Sequence, residues 1–329
     1  MKQRLRRWPA ALFLCVMASL ETTLAAPVIE AEIARLAAPI GGKVGVAAWL
    51  LDGKGERVLV NAGERFPMAS TFKIAVAGAI LANVDAGKLQ LEQLVTVQPT
   101  DIVPSDGIAS LAIHPGISLS VQNLLELMLT LSDNTATDVL TRLAGGPQAA
   151  TAWVRKQGIE DQRIDRDTAS LLRDFFNLPP GPFNEVLEAA LEKDPQLEER
   201  GNHPNPAFDN DVRDTSTPTA MAQLLTKIFN QQALSVSSTK VLIDIMQRCR
   251  TGAGRLQGQM PAGTVIAHKT GTVGGTVNDV GVITLPDGKG QIVIAVFIKE
   301  SDEPMEARER VIAEIARSVR DHFLFAEAS

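Results

Sequence analysis

The sequence predicts an α/β (α+β) fold, an antiparallel sheet flanked by helices with an all-helical domain inserted into it. Three observations predict it. Strand-like apolar runs lie near both ends of the 329-residue chain, residues 70–247 between them show mostly helical periodicity, and turn signals separate the terminal runs into hairpins. Two sets of terminal strands around a helical middle imply that the ends pair in one sheet, leaving a cleft between sheet and insertion. At 45% hydrophobic and 21% charged, the chain can bury one large core or two smaller ones, which excludes a disordered or collagen-like protein.

Taken in order, residues 1–26 read as an export signal. Lys2, Arg4, Arg6 and Arg7 form a basic start, Ala10 to Leu20 is too short to span a bilayer, and Leu24-Ala25-Ala26 offers small residues for cleavage near Ala26. A retained anchor is opposed by Glu21, and a lipid anchor by Leu14 before Cys15. A short helix is expected over Ala31 to Ala38. Val44 to Leu51 and Arg57 to Val60 then flank the turn Asp52-Gly53-Lys54-Gly55, as a hairpin. In the middle, Ile74, Ala77, Ile80, Leu81 and Val84 share one helical face, and Leu124, Leu127, Met128 and Leu131 another. Arg173 to Arg213 carries six prolines around one plausible helix, Phe183 to Lys193, and a connection of that length is usually functional or mobile. Thr264 to His268, Asn278 to Leu285 and Gln291 to Ile298 are strand-like, and a helix is expected from about Glu303 to Phe323. The expected domains are 27–69 with 216–329 as the α/β part, and 70–215 as the helical part, its long active-site loop at about 163–214.

Charge and rare residues narrow the function. The net charge is −6, and loss of residues 1–26 makes it −9, so no nucleic-acid partner is expected. Of two cysteines, Cys15 lies in the signal, which leaves Cys249 without an intrachain partner. His114, His203, His268 and His322 are far apart and without metal-ligand spacing, so ordinary surface or packing roles are expected for them and no metal or organic cofactor. A small-molecule substrate, no stable membrane insertion and a monomer are expected.

Three short motifs carry chemistry. In Ser70-Thr71-Phe72-Lys73, at a strand-to-helix passage, the three-residue spacing sets an amine beside a hydroxyl whose proton it can accept. Ser237 and Lys240 share that spacing, so alone it also fits a cap and a solvated lysine. Ser132-Asp133-Asn134 follows the apolar helix ending at Leu131; its serine can relay a proton and its asparagine amide can bind a substrate amide, or the cluster simply caps the next helix. Lys269-Thr270-Gly271-Thr272 ends an apolar strand, with Lys269 and Gly271 pointing one way and the Thr272 N–H able to serve as an oxyanion donor.

Together and in this order the three motifs resemble those of class A β-lactamases and penicillin-binding proteins. The resemblance to class A covers about residues 30–325 and includes Asp214-Thr215-Ser216-Thr217-Pro218 and Asn278-Asp279. It implies the serine β-lactamase/transpeptidase-like fold, Ser70 as acylated nucleophile, Lys73 as its proton acceptor, Ser132 as proton shuttle and Asn134 as partner of Lys73 and the substrate amide. Lys269, Thr270, Gly271 and Thr272 would line the substrate carboxylate and acyl carbonyl, with the Ser70 and Thr272 N–H groups as oxyanion hole. Arg255 stands where some members carry a carboxylate-binding arginine; a surface arginine is the other reading.

One departure stands out. The family holds its deacylating water with a glutamate and an asparagine in a pattern like Arg-x-Asp-Arg-x-Glu-x-x-Leu-Asn, whereas here Thr168 and Leu172 occupy those places. Neither can deprotonate water near neutral pH, and the chain has no Tyr to substitute. Asp167, a carboxylate of the insertion (Glu185, Glu188, Glu198 or Glu199) or Lys73 itself remain as replacements. The expected activity is that of an exported serine β-lactamase, with a hydrolase of another amide or ester, such as a cell-wall peptide, and a covalent β-lactam binder without efficient turnover as alternatives.

Overall fold

The computed structural model describes residues 25–112, 114 and 116–326. The expected export signal therefore lies outside the described residues except for Ala25 and Ala26, which open the first helix. The chain begins with α1 (Ala25–Ala37), β1 (Lys43–Leu50), β2 (Val58–Val60), β3 (Phe66–Pro67) and, after a 3₁₀ turn at Ala69–Phe72, α2 (Lys73–Asp85). The middle holds β4 (Leu94–Thr96), α3 (Ile108–Leu111), β5 (Ser118–Ser120), α4 (Val121–Thr130), α5 (Asn134–Ala144), α6 (Pro147–Lys156), α7 (Thr168–Phe176), α8 (Phe183–Lys193), α9 (Leu197–Arg200) and α10 (Pro206–Asp209). There follow β6 (Thr215–Ser216), α11 (Pro218–Phe229), α12 (Val236–Met246), β7 (Ile266–Val273), β8 (Thr276–Thr284), β9 (Gln291–Lys299) and α13 (Met305–Phe325).

The two ends pair as expected, in an antiparallel sheet of order β2-β1-β9-β8-β7 with Val46 opposite Val296. Side chains alternate across a strand, so β9 serves two cores. Ile292, Ile294, Val296 and Ile298 pack with Ile33, Ile312 and Ile315 of α1 and α13, while Val293, Ala295 and Phe297 face the helical layer. The helix α1 starts earlier than the expected Ala31. Ile29 packs beside Ile33. The helix α2 is buried on all sides from Lys73 to Leu81, rather than along the one face its periodicity suggests. It passes so close to α6 that a Cβ on Gly78 would stand 2.2 Å from the Trp153 ring.

The segment expected to be one long loop with a single helix is largely helical. Besides α8, which has the expected bounds, it holds α9 and α10. Phe175 stacks edge-on against Phe176 and Phe208, and with Leu171 this cluster packs on Ala69 and Val273. The Gly274 N–H donates to the Gly201 carbonyl at 3.0 Å, and the Arg308 guanidinium donates to the Gly274 carbonyl at 2.8 Å. The insertion is thereby held against the β7–β8 turn.

At its base, Asp214 accepts the Asp165 and Arg166 N–H groups at 2.7 and 3.0 Å and the Arg166 Nε–H at 2.6 Å. Both ionic partners are buried. Removing one charge from such a pair strands the other, so Asp214→Ala is expected to lower the unfolding free energy by about 3 kcal/mol. Urea unfolding of the full chain checks this; a loss under about 1 kcal/mol, the scale of an exposed pair, would contradict it.

Candidate active site

The nucleophile candidate Ser70 sits inside the 3₁₀ turn Ala69–Phe72, and Lys73 is the first residue of α2. The backbone beside it is strained: Ala69 has φ +44°, and Ser132, across the site, φ +60°. Strand β7 runs on to Val273, five residues past its expected end, because Lys269, Thr270, Gly271 and Thr272 all pair with β8. Gly271 permits its approach to the nucleophile turn, since a Cβ there would stand 2.5 Å from the Met68 carbonyl oxygen. Asn278 ties the same turn from β8, donating from Nδ2 to the Pro67 and Met68 carbonyls at 2.9 and 3.0 Å.

Lys73 and Lys269 are both fully buried and meet at one hydroxyl. Ser132 Oγ lies 3.2 Å from Lys73 Nζ and 3.0 Å from Lys269 Nζ. Lys73 also donates to the Ser132 carbonyl at 2.7 Å and to Asn134 Oδ1 at 2.9 Å. Burial, and then the charge of Lys269, hold the Lys73 ammonium well below its ordinary pKa. Lys269 is pushed down to about 8, mainly by burial. Both shifts favour the neutral amine, which is the direction a proton acceptor requires.

The expected motif residues divide their labour. Asp133 caps α5, accepting from Ala136 N–H, and also accepts from Ile108 N–H, both at 2.6 Å. The capping role and the chemical one thus coexist in Ser132-Asp133-Asn134. Asn134 is held from the far side, its Nδ2 donating to the Pro104 carbonyl at 3.1 Å. Thr272 is the one exposed residue of β7. Under the strand, Thr270 Oγ1 lies 2.6 Å from Thr251 Oγ1, which lies 3.3 Å from Cys249 Sγ. His268 is buried and hydrogen-bonds both Asp279 oxygens at 2.9 and 3.0 Å. Burial opposes its charge, but the Asp279 charge and hydrogen bond prevail and raise it to about 10. Asp279 thus favours the charged imidazole one residue before Lys269.

Two of the expected residues make contacts of their own. Arg255 is buried, which overturns the reading of a surface arginine. Its Nε donates to Glu309 at 2.9 Å, its Nη1 to the Gly271 and Asn278 carbonyls at 3.1 and 3.0 Å, and its Nη2 to Thr272 Oγ1 at 2.8 Å. Its donors are engaged because the guanidinium lies packed against β7, so it bears on the site through Thr272. Asp167 is the N-cap of α7, accepting from Ser170 N–H at 2.8 Å, so one of its oxygens serves its own helix. The insertion's Glu185, Glu188, Glu198 and Glu199 are all exposed.

A carboxylate that the motifs do not mark bonds the loop at the departing position. Asp138 accepts the Thr168 N–H at 2.7 Å and the Ala169 N–H at 2.9 Å, where the loop lacks its glutamate. Burial, then the charge of Asp167, raise its pKa to about 7. Its charge in turn acts on Lys73. The available signal is its position four residues after Asn134, hence on the same face of α5.

A model of the "Beta-lactamase enzyme family" matches residues 28–323. The chain is 31% identical to the extended-spectrum β-lactamase PER-1 of Pseudomonas aeruginosa over 94% of its own length and 92% of that protein's. It is also 31% identical to the β-lactamase VEB-1 of Pseudomonas aeruginosa, over 86% of each. Among solved structures it is similar to an ancestral (GNCA) class A β-lactamase, with a TM-score of 0.73, 36% identity, and coverage of 89% of this chain and 99% of that one.

Proposed function

The chain belongs to the class A β-lactamase family, and from that premise we propose that it opens β-lactam rings through an acyl-enzyme on Ser70. The observation that carries the proposal is the meeting of two buried lysines on Ser132 Oγ beside the nucleophile turn. Neutral Lys73 takes the Ser70 hydroxyl proton as the oxygen attacks the lactam carbonyl. The Ser70 and Thr272 N–H groups receive the charge that develops on the carbonyl oxygen. The proton then passes from Lys73 through Ser132 to the departing ring nitrogen, as the C–N bond breaks and leaves an ester on Ser70. Lys269, Thr270 and Gly271 line the substrate carboxylate, Asn134 receives the acyl amide, and Arg255 positions Thr272.

Hydrolysis of the ester needs a base for water. Asp138 supplies it: each carboxylate oxygen keeps a lone pair beyond the one its backbone donor uses, and a pKa near 7 suits a general base. Water loses its proton to Asp138, its oxygen attacks the ester carbonyl, and Ser70 recovers a proton as the acid leaves. Thr168 and Leu172 favour a second reading, a covalent binder that turns over slowly. We also read residues 1–26 as an export signal, residues 27–69 with 216–329 as one domain and 70–215 as the other, and a monomer as the working form. Among the described residues no helix is long and apolar enough to cross a membrane.

Intact mass followed in time after mixing with a penicillin tests the function. The expected result is an adduct that forms and vanishes within seconds to minutes while product accumulates. An adduct lasting hours means the covalent binder instead, and no adduct moves the serine to another amide or ester, such as a cell-wall peptide.

A further inference from the structure

The insertion builds a cavity of about 620 Å³ beside the site. Leu172, Phe176, Phe183, Leu187, Leu191 and Leu197 line it, from α7, α8 and α9. Sites for small molecules fall in the range of about 300–1,000 Å³. Its position ties it to the reaction centre in two ways. Pro104, on its wall, accepts the Asn134 Nδ2–H, and Asn134 Oδ1 in turn accepts from Lys73. Leu172 and Phe176 pack on the cluster containing Ala69, next to Ser70, and Val273, next to Thr272. Leu172 itself stands where the family's asparagine would hold water, so this wall is apolar.

We propose that this cavity receives an apolar substituent on the substrate's acyl group, an alkyl chain or aromatic ring that is neutral or cationic at its far end. The site presupposes acylation at Ser70, as described above. The chain-end preference follows from the rim, where Glu188, Glu192 and Glu198 also line the cavity and repel a terminal carboxylate. The insertion thereby sets substrate choice, since α8 and α9 contribute most of the lining.

The test uses the full chain and a series of N-acylated penicillins from acetyl to hexanoyl to decanoyl, with a ten-carbon acyl group ending in carboxylate. Each methylene that leaves water for an apolar wall contributes about fourfold. The hexanoyl compound is expected to exceed the acetyl compound by roughly 10² in kcat/KM, and the carboxylate-ended chain to lose most of that gain, less so at high salt. In Leu187→Asp and Leu191→Asp the hexanoyl-to-acetyl ratio should fall toward one, and in Leu187→Met it should recover. A ratio near one in the parent chain overturns the proposal while leaving the hydrolase reading intact. If even the acetyl compound is neither bound covalently nor turned over, the hydrolase reading fails. The cavity is then decided by displacement of the neutral dye N-phenyl-1-naphthylamine by decanamide, where no displacement, or equal displacement in Leu187→Asp, overturns it.

Discussion

Ser70→Ala protein gains no mass from a penicillin that labels the parent chain, and its hydrolysis of that penicillin falls to background. Removal of a serine nucleophile costs on the order of 10⁶ in kcat, because the lysines and oxyanion donors around it have nothing left to activate. The loss should be chemical rather than structural. Ser70 lies in a turn whose neighbours Ala69 and Phe72 are buried and whose Thr71 hydroxyl donates to the Met68 carbonyl at 2.8 Å, none of which the substitution removes. Unchanged urea unfolding alongside the lost adduct is the expected pair of results. Labelling that survives in Ser70→Ala overturns the mechanism. Cys249 is the first place to look for it: burial raises its pKa, but the His268 hydrogen bond and charge outweigh burial and bring it down to about 7.

The second large effect concerns release. In Asp138→Asn the adduct should still form but decay about 10²–10⁴ times more slowly, the range that general base catalysis contributes. The pH dependence has a definite sign. Asp138 accepts a proton only when ionised, so deacylation in the parent chain should rise as pH climbs through about 7 and level off above it. In Asp138→Asn that limb should be absent. Asp167 supplies a control that keeps the α7 cap, since asparagine caps as well as aspartate. The Asp167 charge raises the Asp138 pKa, so Asp167→Asn should shift the limb to lower pH with little change in the plateau. A lifetime prolonged at every pH in Asp167→Asn would make Asp167 the base instead. Decay at the parent rate in Asp138→Asn would eliminate Asp138 and return the second step to Lys73.

Much of the site was legible in sequence because its parts are local. The spacing of Ser70 and Lys73 follows from helix geometry. The Ser132 and Asn134 pair brackets a helix cap, and along the strand Lys269 and Gly271 share one face while Thr270 and Thr272 share the other. The antiparallel pairing of β1 with β9 was legible too, since apolar runs at both ends leave few other ways to be buried. Less of the insertion was legible. Its prolines read as a loop, yet Phe175, Phe176 and Phe208 fold it into helices against Ala69 and Val273, contacts that no local pattern encodes.

The sequence by itself determined which motifs offer a candidate nucleophile and two lysines, the sheet formed from both termini, and the absence of a glutamate at Thr168. Each of these is a matter of residue type at fixed short spacing, which backbone geometry converts directly into side-chain direction. Only the tertiary structure decided that Arg255 is committed to β7, that Asp138 faces the gap left by the glutamate, and that α8 and α9 wall a cavity beside Leu172. Those depend on which side chains meet across large separations in the chain. Burial and neighbouring charge at such meetings, as at Asp138 and Lys73, set the protonation states on which the chemistry turns.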